Sequence, residues 1–164
     1  MKVLLAIDRF LGRFESVTLV SFLFIMVVLS ALQILLRNVF NTGISWADIF
    51  LRHLVLWVGF LGASLATSEG RHINVDALSR VIPPRPRRLV EMVINLFSCG
   101  ICILLAEAAV DFVRLEYGDH INLFLSVQTW IAEIIMPAAF VIIAFRFLVK
   151  AIESFAAFVK GEQE

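Results

Sequence analysis

Charge is scarce in this sequence: Asp, Glu, Lys and Arg make up 17% of its 164 residues, against about 25% in a typical soluble domain. The 14 basic and 14 acidic residues cancel, leaving neither a basic footprint for nucleic acid nor an acidic tail. Cysteine is limited to two residues, which excludes a disulfide framework. Polar aromatics are few: one Tyr and three Trp stand beside 15 Phe, a skew that suits hydrocarbon better than a polar cleft. No G-x-S-x-G, P-loop or H-E-x-x-H pattern occurs, so hydrolase and nucleotide chemistry have no candidate residues. Of the histidines only His53 falls inside an apolar run, His72 and His120 lying in connections. That leaves no axial pair for a haem, and no cofactor is expected. What fills the space is apolar, with 60% hydrophobic residues and a mean hydropathy of +0.92. A secreted scaffold, a disordered chain and an ordinary soluble enzyme are excluded together.

A membrane helix needs about 20 mostly apolar residues. Four stretches qualify, at about 17–36, 46–66, 89–110 and 127–149. The first is uncharged, with only Thr18, Ser21, Ser30 and Gln33 as polar members. It is longer than the apolar core of a signal peptide, about 7–15 residues, and is expected to be retained. The second carries Asp48, Arg52 and His53 in its first third, and the third is interrupted by Glu91, Asn95 and Glu107. The fourth holds Glu133 and Pro137; the proline is expected to kink it, with Ser126 as N-cap. Within residues 71–82, Ile73, Ala77, Leu78, Val81 and Ile82 share one helical face, the pattern of a short helix lying in the interface. Leu4, Ile7, Leu11 and Phe14 make a similar stripe at the N-terminus. The expected fold is an all-α integral membrane protein, a single four-span domain over residues 1–164. It has four transmembrane helices plus a short interfacial amphipathic helix.

Basic residues set the expected orientation. The N-terminal segment holds Lys2, Arg9 and Arg13, the central connection Arg71, Arg80, Arg85, Arg87 and Arg88, and the C-terminal end Arg146, Lys150 and Lys160. These are 11 of the 14 basic residues, so the positive-inside rule puts both termini and the central connection in the cytoplasm. Trp46 and Trp130 then meet the outer interface, where Trp is favoured.

Ionisable residues near membrane depth (Arg37, Asp48, Arg52, His53, Glu107 and Glu133) are expected in the outer third. Such residues usually face protein or water and are paired. Asp48 and Arg52 are four apart, hence on one helix face, and either could pair across helices with Arg37, Glu107 or Glu133. A proton or ion relay is one use of such a set; a network that holds helices together or docks a partner is the favoured one. Cys99 and Cys102 have C-x-x-C spacing, which raises a quinone-linked thiol oxidoreductase as an alternative. Apolar surroundings near mid-span keep thiols protonated and inert, and Ser98, Cys99, Gly100 and Cys102 read better as a helix-packing patch. A small homo-oligomeric transporter using Glu107 or Glu133 is the other alternative.

The run Ile44-Ser45-Trp46-Ala47-Asp48-Ile49-Phe50-Leu51-Arg52, followed by Trp57-Val58-Gly59-Phe60-Leu61-Gly62-Ala63, resembles the small membrane subunit of TRAP transporters (tripartite ATP-independent periplasmic transporters), the DctQ-like family. His72-Ile73-Asn74-Val75-Asp76-Ala77-Leu78 and then Pro83 match the family's connection, and Arg37 matches the end of its first span. Ile49 stands where the family commonly carries a second acid. The resemblance implies a non-enzymatic small permease subunit in the bacterial inner membrane, surrounded by membrane lipid. It would scaffold a large DctM-like subunit that is served by a periplasmic DctP-like substrate-binding protein. The transport implied is ion-gradient-driven import of an organic anion such as a carboxylate or sialic acid, with sodium as the symported ion. Arg37, Trp46, Asp48, Arg52, Trp57, Gly59, Gly62, Ala63, Glu107 and Glu133 are the candidate subunit-interface or helix-pairing residues. Gly59 and Ala63 have the small-xxx-small spacing that lets helices approach closely.

Overall fold

The computed structural model describes residues 2–68, 84–119, 122–124 and 127–160. The expected interfacial segment 71–82 and the Ser126 cap lie outside these residues. Five helices and one small hairpin are described: α1 (Lys2–Phe40), α2 (Ala47–Ser68), α3 (Pro84–Asp119), β1 (Asn122–Phe124), β2 (Val127–Gln128), α4 (Thr129–Glu133) and α5 (Ile135–Lys160). Four stretches are long and apolar enough to cross a membrane: Phe10–Phe40, Ala47–Ser68, Arg88–Gly118 and Thr129–Ala156.

The N-terminal stripe and the first span form one helix. No proline and only one glycine, Gly12, occur between Lys2 and Phe40, so nothing breaks the hydrogen-bond ladder. Its 39 residues extend about 58 Å at 1.5 Å each, nearly twice the hydrocarbon thickness. The helix must therefore tilt or project into the headgroups. Along it the hydroxyls of Thr18 and Ser21 donate to the carbonyls of Phe14 and Val17, at 2.9 and 2.8 Å, so neither meets lipid unpaired. Asn41 ends it with φ at 47°, the left-handed conformation that caps helices and that Asn tolerates.

The fourth span is interrupted where the proline predicts. α4 stops at Glu133 and α5 begins at Ile135, because Pro137 has no N–H to give the carbonyl of Glu133. Gln128, rather than Ser126, precedes α4, and its side chain makes no capping bond.

Packing follows connectivity. α1 lies against α2 and α3 against α5, as two antiparallel hairpins, and α2 against α5 joins them. The spatial order is therefore α1, α2, α5, α3. α5 is central and the most buried span, whereas α1, at an edge, is almost wholly uncovered. Cys99, Cys102, Ile143, Ala144 and Phe147 form the core between α3 and α5. The two thiols there are packing groups, whereas Gly100 of the same expected patch is exposed with nothing near it. Phe60 and Phe140 stack edge-on at 5.4 Å between α2 and α5, and Gly62 admits Leu19, whose Cδ1 would lie 3.6 Å from an added Cβ.

Candidate functional site

The strongest polar constellation lies at the end of the slab that holds the two termini. Arg146, 2% exposed, sits on α5 among Phe145, Phe147 and Leu148. A guanidinium buried this deeply must satisfy all its donors within the protein, and the neighbouring helices supply the acceptors. Its Nε donates to Asp8 Oδ1 of α1 at 2.7 Å and its second amino group to Glu15 Oε2 at 2.8 Å. The other amino group donates to Ser64 Oγ at 2.7 Å and to the Ser64 carbonyl on α2. Ser64 Oγ in turn donates to Glu15 Oε1 at 2.9 Å. One turn on, Lys150 donates to the Thr67 carbonyl. Glu15 is 2% and Ser64 1% exposed, so the centre of the network is sealed while Asp8 forms its partly exposed edge, and it joins α1, α2 and α5. Neither Glu15 nor Arg146 was a sequence candidate; both look like flanking charges. The usable signal was position: Arg146 falls inside the apolar run 141–149 rather than after it.

The opposite end carries the sequence candidates. Arg37 and Asp48 approach at 3.8 Å while remaining well exposed. The firmer link is Gln33, which is buried. Its amide nitrogen donates to the Ile44 carbonyl at 3.2 Å and to Asp48 Oδ1 at 3.4 Å, and its oxygen accepts from Ile44 N–H at 3.1 Å. Gly43 approaches so closely that an added Cβ would lie 3.4 Å from that nitrogen. Gln33 thus pins the turn between α1 and α2, and sequence reasoning left it as a neutral member of the span. Arg52 is exposed and does not join the pair. Trp46 stacks edge-on against Phe50 at 6.1 Å, and Trp130 against Tyr117 at 5.6 Å, so both Trp sit at one end with a tyrosine, as an interfacial belt requires.

Trp57 reaches between elements: its indole N–H donates to the Ala132 carbonyl of α4 at 2.7 Å, and its ring meets Phe22 of α1 at 5.7 Å. That contact fixes the interrupted start of the fourth span. Gly62 faces α1, whereas Gly59 and Ala63 are exposed, with nothing near Gly59. Glu133 keeps one carboxylate oxygen buried without a hydrogen-bond partner among the described residues. Glu107 is exposed and lies on the side of Ala106 toward the outer end of its helix. No group of three His, Cys, Asp or Glu side chains among the described residues could hold a metal.

What this arrangement does chemically is hold helices together. Its buried charges are consumed by one another at one end, and its hydrogen bonds fix a turn and a helix break at the other. Comparison with known proteins gives the family. A putative TRAP transporter small permease protein of Haemophilus influenzae is 30% identical over 104 residues, covering 63% of this chain and 65% of that protein. The ectoine TRAP transporter small permease protein TeaB of Halomonas elongata is 24% identical over 153 residues, covering 93% of this chain and 79% of TeaB. The sialic acid TRAP transporter permease protein SiaT of Haemophilus influenzae is 32% identical over 73 residues, 44% of this chain but only 12% of SiaT. The chain thus spans just under two thirds of the first of these relatives. The model of the DctQ component of tripartite ATP-independent periplasmic transporters matches residues 26–157, a component of a transporter and not an enzyme, and the chain belongs to that family.

Proposed function

We propose that this chain, working as one four-span unit, is the scaffold for a large permease subunit in ion-gradient-driven import of an organic anion. The carrying observation is the fate of its buried charges. Arg146, Glu15 and Ser64 are spent on tying α1, α2 and α5 together, which stiffens the slab and leaves no acid–base path through it among the described residues. A scaffold needs that stiffness; a self-contained carrier would use such groups on its substrate or coupling ion. The match to SiaT adds support, because the matched 73 residues amount to 12% of a much longer permease protein. There the matched stretch shares a chain with a far longer remainder of a permease protein.

In this reading the termini face the cytoplasm of an inner-membrane assembly, and Trp46 and Trp130 face the periplasm, where a substrate-binding protein delivers the cargo. Two of the named relatives, TeaB and SiaT, belong to transporters of ectoine and sialic acid, which supports a small organic anion as the cargo class here. Gln33, Arg37, Asp48 and Trp57 are internal pairing groups, and Arg52, Gly59 and Ala63 form an outward stripe open to a neighbour. The test is reconstitution of the tagged chain with the large subunit and the binding protein. Substrate accumulation requires both membrane subunits together with an imposed sodium gradient. Full-rate uptake by the large subunit alone, or failure of the two to co-purify, refutes the scaffold role.

A further inference from the structure

We draw no further inference here: the strongest candidate, the uncovered apolar face of the edge helix α1 along Phe10, Phe14, Val17, Phe24 and Val28, carries nothing because nothing in the structure shows what covers it.

Discussion

Replacing Arg146 with Met should be among the most damaging single changes in this protein. The substitution keeps helix propensity and most of the volume but removes every donor that the guanidinium supplies to Asp8, Glu15 and Ser64. Glu15, only 2% exposed, is left as a buried carboxylate with one hydroxyl donor. Breaking a buried pair from one side costs about 3–5 kcal/mol, chiefly as the penalty of the stranded charge. The lower figure alone shifts the folded-to-unfolded ratio roughly a hundredfold. Glu15→Leu should cost less, about 2–3 kcal/mol, because Arg146 keeps Asp8 and the Ser64 oxygens as acceptors. The double variant removes both charges at once, and exchanging a buried pair for apolar groups is often close to neutral. The double should therefore be more stable than Arg146→Met alone. Arg146→Lys should fall between, since one ammonium cannot span three acceptors on two helices. Equilibrium unfolding in mixed micelles at increasing denaturing detergent, followed by tryptophan fluorescence, gives all four stabilities. If the two single losses simply add in the double variant, the clamp is not a coupled unit and the reasoning fails.

Two further changes probe the opposite end. Gln33→Leu leaves the Ile44 N–H and carbonyl unpaired and should destabilise by about 1–3 kcal/mol, whereas Arg37→Ala breaks a largely exposed pair and should cost under about 1 kcal/mol; the reverse order in the same unfolding assay would show that the ion pair fixes the turn. Trp57→Phe retains the ring against Phe22 but loses the bond to the Ala132 carbonyl, for about 1 kcal/mol. Hydrogen exchange should then rise at the start of the fourth span and not in α1, and uniform exchange would count against that local role.

Much of the fold could be read from the residues because one property dominates it. Lipid demands long uninterrupted apolar helices, and hydropathy measures that demand directly, so four long apolar helices are expected from it, although the first, third and fourth run seven or eight residues past the apolar stretches that announce them. Pro137 located the interruption for an equally local reason, the missing N–H. Partnership is another matter. Arg37 closes one apolar stretch and Arg146 sits inside another, which hints at burial without naming a partner; the first is exposed and the second is sealed between three helices. The difference lies in which helix each residue faces, a fact of the order α1, α2, α5, α3 that no local pattern contains. Gln33 was passed over because an uncharged amide barely perturbs hydropathy, although it makes more bonds at the turn than the charged Arg37 beside it.

The two polar ends act on different motions. A hairpin pinned at only one end can splay at the other, and an edge helix as uncovered as α1 has little side-chain packing to resist sliding along α2. Here Gln33 holds the α1–α2 turn at one end, and Asp8 and Glu15 hold α1 to Arg146 at the other. The distance between the two attachments along α1 is fixed by the helix itself, so sliding would break both at once. Trp57 closes the remaining degree of freedom by tying α2 to the short helix ahead of α5. Between these ends the contacts are apolar and non-directional, which suits a body that resists deformation without offering a route across itself. Rigidity of this kind is useful only against something that moves.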